Sequence, residues 1–227
     1  MTYVLSDIHG CYEKYRKLLE QMRFGGADTL YVLGDVVDRG EEGIRTLRDL
    51  MGRKNAVVLR GNHDDTALKL LYLLRQDAGN YDPKQVQELF ASWFSDGGEP
   101  TYREYLALAE TEQNEVLTFL NKLPVAREFA VDGQWLWLSH TLPRKRRFFD
   151  SAPLRTVDLI SGAPDYDEVY DPERIFVTGH TPTELIDPAF QGRIWKGNNH
   201  IAIDCGAVFG NPLGGMCLET GEEFYAE

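Results

Sequence analysis

The chain reads as an α/β protein, a central β-sandwich of mixed sheets flanked by helices, and three observations carry that expectation. Short apolar segments, Tyr3–Leu5, Thr29–Leu33 and Ala56–Leu59, recur at intervals near 27 residues. Between them, Tyr12, Tyr15, Leu18, Leu19 and Met22, then Ile44, Leu47, Leu50 and Met51, fall at helical spacing. After Pro124 the sequence turns to short strands joined by tight turns. The first half therefore predicts a βαβαβ unit with a parallel sheet. The second half predicts an antiparallel sheet packed against it.

The elements follow in order. Residues 66–123 break the alternation: Ala67–Leu74 is apolar over most of a helical surface, and Val86–Trp93 and Tyr102–Leu108 predict further helices around a Gly97–Gly98 break. Val116–Leu123 is a last helix, stopped by Pro124. No low-complexity linker bounds this stretch, so it reads as a helical insertion within one domain over residues 1–227. The predicted strands beyond it are Glu128–Val131, Gln134–Leu138, Ile175–Val177, His200–Ile203, Gly215–Leu218 and Glu223–Ala226. Asp132-Gly133 and Thr220-Gly221 predict hairpin turns. Ser151–Pro172, rich in Asp, Pro and Gly, predicts a surface loop.

Composition narrows the function. A chain of 227 residues that is 43% hydrophobic can bury one full core. No apolar run reaches the length of a membrane span, and residues 1–20 lack a signal peptide's pattern. Cys11, Cys205 and Cys217 are widely spaced and form no CxxC pair, so a reduced, cytoplasmic chain without disulfides is expected. A net charge of −12 argues against broad nucleic-acid binding. The exception is local: Arg144-Lys145-Arg146-Arg147 is a solid basic run, read either as a solvated loop or as a clamp for a phosphorylated substrate.

Metal-seeking side chains follow the apolar runs. The motifs are Asp7-Ile8-His9-Gly10, Gly34-Asp35-Val36-Val37-Asp38-Arg39-Gly40, Arg60-Gly61-Asn62-His63-Asp64 and Gly179-His180-Thr181, with His140 after Trp135–Ser139. In open α/β sheets the edge beyond the strand ends is where ligands bind. Asp7 and His9, two apart at an extended strand end, point to one side and can reach one ion. Asp35, at a glycine-flanked turn, can present both carboxylate oxygens and bridge two ions. Asn62 adds a neutral oxygen, and His140 and His180 add imidazole nitrogens. This mixed oxygen and nitrogen set suits manganese, iron or zinc better than calcium. Two ions sharing a water lower its pKa and aim it at phosphorus. Each motif alone is weak; four of the five histidines in motif positions after strands are not. The fifth, His200, reads as structural, Asp64 as a cap of the next helix, and Asp204 as a possible support for the site.

The ordered set of motifs resembles the calcineurin-like metallophosphoesterase superfamily and, more narrowly, the PPP serine/threonine protein phosphatases in their compact bacterial and phage form. The resemblance covers about residues 7–210 and includes the stretches Trp93–Thr101 and Ile203–Phe209. Pro182 stands where many other members carry a further histidine, as in the PPP type. The resemblance implies two divalent ions, manganese first. Asp7 and His9 would hold one, Asn62, His140 and His180 the other, and Asp35 would bridge them. It implies that His63 is the general acid, oriented by Asp38, and that Arg39 and Arg60 bind phosphoryl oxygens. Hydroxide held by the ions would attack phosphorus directly, with no covalent phosphoenzyme.

One departure bears on substrate. The family usually carries a further phosphate-binding arginine in a segment that here reads Val157–Pro164, with none. The expected function is a metal-dependent phosphoester hydrolase, first a protein phosphatase acting on phosphoserine or phosphothreonine. The alternative is symmetrical hydrolysis of diadenosine tetraphosphate, with Arg144–Arg147 on the polyphosphate and Phe148, Phe149 or Tyr166 stacking on a base. A metal-dependent phosphoprotein-binding scaffold is the non-enzyme alternative, and the intact set Asp38, His63, Arg39 and Arg60 weighs against it.

Overall fold

In the first half, alternation of side chains across each strand divides two cores. The computed structural model describes residues 1–75, 81–149 and 151–227, so residues 76–80 of the expected insertion lie outside it. Strands β1 (Thr2–Leu5), β2 (Thr29–Val32) and β3 (Ala56–Val58) pair in parallel, with helices α1 (Tyr12–Gln21) and α2 (Gly43–Gly52) as crossovers. On β1, Tyr3 and Leu5 face the helices, packing with Leu18, Leu19, Leu47 and Leu50. Val4, one residue out of phase, faces the other way. It meets Leu136, Leu138, Val177 and Ile203 of a second sheet, and that layer is the sandwich interior.

Four helices follow β3: α3 (Asn62–Leu73), α4 (Pro83–Ser95), α5 (Glu99–Leu106) and α6 (Glu110–Lys122). They occupy the expected insertion, but α3 begins at Asn62, so Asn62 and His63 form its first turn. The following strands are β4 (Ala126–Val131), β5 (Gln134–Ser139), β6 (Arg174–Thr178), β7 (Trp195–Gly197), β8 (His200–Ala202), β9 (Leu213–Cys217) and β10 (Glu223–Ala226). Both expected hairpin turns are present, joining β4 to β5 and β9 to β10.

The second sheet departs from the expectation. Its order is β4-β5-β6-β8-β7, and β5-β6 and β6-β8 are parallel pairs. The strands β9 and β10 belong to the first sheet, where β9 runs antiparallel to β1. The physical reason lies in the connections: parallel neighbours need long crossovers, and the segment read as a surface loop is such a crossover. The crossover from β5 to β6 carries the short helices α7 (Lys145–Phe148), just before that segment, and α8 (Thr156–Ile160) within it, and α9 (Thr183–Ile186) serves the next one. Leu142, Leu159, Tyr170 and Phe176 form a third small core under it.

No helix among the described residues is long and apolar enough to cross a membrane. Leu138 is fully buried between the sheets. Leu138→Ala should lower unfolding free energy by about 2–5 kcal/mol, read from urea denaturation. A loss below about 1 kcal/mol would mean that the sandwich interior repacks around the missing atoms.

Candidate metal centre

The functional side chains gather where the loops after β1, β2, β3, β5 and β6 meet. These loops are held in backbone conformations that side chains other than glycine seldom adopt. Asp7, His9, Asp35, Asp38, Arg39 and His180 all have positive φ, between 44° and 70°. Such residues cost strain and persist where the surroundings fix them. Asp7 and His9 therefore reach the site from a left-handed turn and not from an extended strand end as expected.

Asp64 does the fixing at the centre. Its carboxylate accepts from the amides of Asp35 (2.9 Å), Val36 (3.1 Å) and Gly61 (3.0 Å). The expected helix cap is thus present, and it also ties the loop after β2 to the start of α3. Burial, with Asp35 close by, pushes the Asp64 carboxyl up to about 6. The loops touch so closely that a Cβ on Gly61 would lie 2.1 Å from Asp35 Oδ1. A Cβ on Gly179 would lie 2.1 Å from Asp7 Oδ2. Asp7 Oδ2 instead accepts from Ser6 Oγ and from the amide of His180 (2.9 Å).

The donor atoms face one another without enough protons to join them. His140 Nε2 lies 3.0 Å from Asn62 Oδ1, 3.1 Å from His180 Nδ1 and 3.4 Å from Asp35 Oδ2. Its Nδ1 donates to the carbonyl of Leu33 (2.8 Å), which leaves Nε2 as the nitrogen aimed at the site. His9 is held likewise: Nδ1 donates to Val37 O (2.9 Å), and Nε2 sits 3.6 Å from Asp35 Oδ2. A ring nitrogen can satisfy one such neighbour, whereas a cation satisfies all of them. Asp35, His140 and His180 form one group of convergent ligand atoms, and His9, Asp35 and His63 another, with Asp35 common to both. All are buried or nearly so. The donor set thus offers two groups sharing Asp35 that fit divalent cations, although the second contains His63, read as the proton donor, in place of Asp7. His9 Nε2 also accepts from Arg39 Nη1 at 2.8 Å. Imidazole orientation by backbone carbonyls is the usual device for metal-binding histidines.

The field at the site favours positive charge. Burial works against charged His140, yet Asp35 and then Asp7 outweigh it and push its pKa up to about 10. Burial and the neighbouring His140 bring His180 down to about 4. His63 resists its burial because Asp38 accepts from Nδ1 (2.9 Å) and Asp35 lies near, and its pKa is raised.

Several contributors were not legible as site residues. Trp93 Nε1 donates to Asp38 Oδ2 (2.8 Å), so the helical insertion holds the carboxylate that holds His63. Thr101 Oγ1 accepts from the Asp38 amide (2.9 Å), and Gly97 O accepts from the Arg39 amide (2.7 Å). Asp96 Oδ2 stands 3.8 Å from His63 Nε2. The one signal for them was the Trp93–Thr101 stretch in the resemblance; nothing in their spacing points to Asp38. Ser6 had no signal beyond adjacency to Asp7.

A family model described as calcineurin-like phosphoesterase matches residues 2–187. The chain belongs to this family. Among named relatives, the symmetrical bis(5'-nucleosyl)-tetraphosphatase of Buchnera aphidicola subsp. Acyrthosiphon pisum is 45% identical over 65 residues, 28% of this chain and 24% of that protein. The protein of the same name from Nitrosococcus oceani is 30% identical over 125 residues, 54% of this chain and 37% of its own length. The chain thus matches less than half the length of either relative. Of solved structures, a protein provisionally named as a diadenosine tetraphosphatase superposes with TM-score 0.67 at 21% identity, covering 99% of this chain and 92% of that one. A serine/threonine phosphatase from Saccharomyces cerevisiae superposes with TM-score 0.60 at 15% identity, covering 100% of this chain and 80% of that one. These likenesses carry the fold.

The remaining expected residues divide. Arg39 reaches the centre, with Nη1 2.8 Å from His9 Nε2. Arg60 stands beside Asn62, but its guanidinium donates to Asp65 (3.2 Å) and to the carbonyls of Leu120 (3.2 Å) and Asn121 (2.8 Å), leaving Nε buried and unpartnered. The basic run is largely engaged elsewhere: Arg147 pairs with Asp158 (2.7 Å) and Lys145 with Glu168 (3.0 Å). Phe148 packs against Trp137 and Phe176, and Tyr166 is stacked on His200. His200 is structural as expected, with Nε2 2.8 Å from Thr178 Oγ1. The Asp204 carboxylate accepts from the Gly206 amide (2.9 Å), and Asp7 is among the charges that raise its pKa after burial. The three cysteines are free thiols, and burial pushes Cys11 up, away from a reactive thiolate.

Two outcomes follow. Metal-stripped protein titrated with Mn²⁺ at pH 8 should release about one proton per chain, because His140, pushed up to about 10, must lose its proton to ligate. Metal uptake with no proton release would remove His140 from the ligand set. Trp93→Phe, which deletes one hydrogen bond to a buried carboxylate, should lower kcat about tenfold. The basic limb of its pH profile should move to higher pH, since Asp38 Oδ2, freed of the indole donor, accepts the His63 proton more strongly. An unshifted profile would make Trp93 a packing residue only.

Proposed function

We propose that the chain is a symmetrical dinucleoside tetraphosphate hydrolase, converting diadenosine tetraphosphate and water into two molecules of adenosine diphosphate. The observation that supports the choice of substrate is the match to the tetraphosphatases of Buchnera, 45% identical over 65 residues, and Nitrosococcus, 30% identical over 125 residues. It moves the protein phosphatase reading, first in the sequence analysis, to second place. The yeast phosphatase supports the shared fold and not the substrate.

Two divalent ions, manganese first with iron or zinc as substitutes, supply when bound an activated water and charge to offset the phosphoryl oxygens. The protein's own residues do the rest. Asp7, His9, Asp35, Asn62, His140 and His180 would hold the ions in the roles read from the sequence. Arg39, whose guanidinium lies against His9, is placed to take a phosphoryl oxygen. Arg60 lies on the adjoining wall beside Asn62.

His63 holds the proton for the departing oxygen at Nε2. Its Nδ1 proton is directed to Asp38, whose Oδ2 also takes the Trp93 indole proton. This fixes the ring and raises its pKa, which favours the acid form. The bond from phosphorus to the bridging oxygen breaks, that oxygen leaves as the terminal oxygen of one nucleoside diphosphate, and water's oxygen stays on the other.

The test is a head-to-head assay of manganese-loaded protein on diadenosine tetraphosphate and a phosphothreonine peptide, products resolved by chromatography. Adenosine diphosphate release at the higher kcat/KM is expected. Faster phosphate release from the peptide would return the protein phosphatase reading, and cleavage to ATP and AMP would refute the symmetrical mode.

A further inference from the structure

The sequence offered Arg144–Arg147 and three aromatics as the grip on a nucleotide, and the fold spends most of them elsewhere. The pocket beside that run, about 690 Å³, sets Lys145 and Arg146 against Asp165, Asp167 and Glu168. Phe149, its aromatic wall, therefore faces more carboxylates than cations. A polyanion has no reason to settle there.

The opposite balance holds along α3. A groove of about 530 Å³ starts at the candidate ligand Asn62 and is lined by Arg60, Lys69 and Arg155. At Lys69 it meets a second groove of about 650 Å³, between α3 and α6, lined by Lys69, Tyr72, Arg75 and Lys122. Among the described residues five cations line the two grooves, and the one carboxylate among the lining side chains is Asp65. On a chain of net charge −12 this is a marked local reversal. Asp65 is shared, holding Lys69 and, at 3.2 Å, Arg60. Arg155 pairs with Asp158, which also serves Arg147, and Arg75 with Glu110. Among the described residues, even with those external partners counted, cations outnumber carboxylates along the track.

Helix geometry makes the track continuous. Asn62, Asp65, Thr66, Lys69 and Tyr72 recur at intervals of three or four on α3 and so form one stripe. From Asn62 to Tyr72 the stripe runs about 15 Å at 1.5 Å per residue. That span suits an extended nucleoside diphosphate or longer chain, and exceeds what a lone phosphate covers. At its far end Tyr72 is 57% exposed, an aromatic ring on a basic groove with no core packing to explain it.

We propose that this track is a nucleotide subsite of the metal centre, with Arg60, Lys69 and Arg155 against the phosphate chain and Tyr72 stacked on the base. Lys122 and Arg75 flank the ring and add charge for the phosphate or sugar end. The assignment rests on the dinucleoside polyphosphate reading for its biological substrate, but the binding it describes can be measured without turnover. Stacking on an aromatic ring accepts any base, so the track selects for a nucleotide over a phosphoester of other kind and not for adenine over guanine.

The experiment uses the metal-loaded full chain carrying His63→Asn, which suppresses cleavage, and measures adenosine diphosphate and inorganic phosphate binding by calorimetry. Tyr72→Ala in that background should lower the ratio of nucleotide to phosphate affinity about tenfold. Tyr72→Phe should restore it. Lys122→Ala should weaken the nucleotide severalfold, with the loss shrinking at high salt. Equal shifts for both probes, or none for either, would overturn the subsite. Failure to cleave diadenosine tetraphosphate would sink the proposed activity alone; a Tyr72-dependent ratio in the same protein would still establish the subsite.

Discussion

Everything at this site depends on how Asp35 is held. Its carboxylate is buried, and its Oδ1 accepts from the His63 amide at 3.0 Å, while Oδ2 faces His9 and His140. A buried carboxylate among imidazoles is an arrangement that proteins keep only when charge is balanced there. Placing it costs twice: in desolvation, and in the left-handed backbone at Asp35. Asp64 offsets part of this by binding the amides of Asp35, Val36 and Gly61 together. The loop after β2 and the first turn of α3 therefore move as one piece, and Asn62 and His63 are positioned by the carboxylate they serve.

From that fixed point the layers follow. The first sheet brings Asp7, His9 and Asp35 to one edge because β1 and β2 are parallel neighbours. The second sheet brings His140 and His180 to the same edge because β5 and β6 are also parallel. An antiparallel β5-β6 pair would send one of these two histidines to the opposite end of the sandwich. The crossover through α7 and α8 is thus what brings the second half of the candidate ligand set to this edge. The insertion then closes the other side, where Trp93 and Thr101 set Asp38 and Asp38 sets His63.

How much of this could be read from the sequence follows the same lines. The first half was legible because apolar period and glycine-flanked motifs alternate within short windows, and β1, β2, β3, α1 and α2 form where expected. The candidate ligands were legible because each stands just after a strand, so one rule of parallel sheets gathers them. Sheet assignment in the second half was not, since β9 pairs with β1 some two hundred residues away and no local pattern encodes that partner. The partners of Asp38 were hidden for the same reason. The basic run misled because charge in a sequence says nothing of what faces it: Asp158 and Glu168 neutralise Arg147 and Lys145 from the following crossover.

That last point bears on how an acidic protein meets an anion. Net charge of −12 sets a repulsive field at long range, screened within about 8 Å at physiological salt. Inside that distance the local arrangement governs: Lys69 of α3 is joined in the two grooves by Arg60, Arg75, Lys122 and Arg155 from other segments, while one carboxylate among the described residues lines them. The basic residues that matter for a polyanion are therefore those left in excess along a continuous surface leading to the ions, and not those most concentrated in sequence. Lys69 and Lys122 are separated by more than fifty residues of chain and line one groove, whereas Lys145 and Arg147 are near neighbours engaged with acids. Any anion approaching this edge meets the buried carboxylates of Asp7 and Asp35 first, so cations in excess along the way in lower the barrier that those charges set.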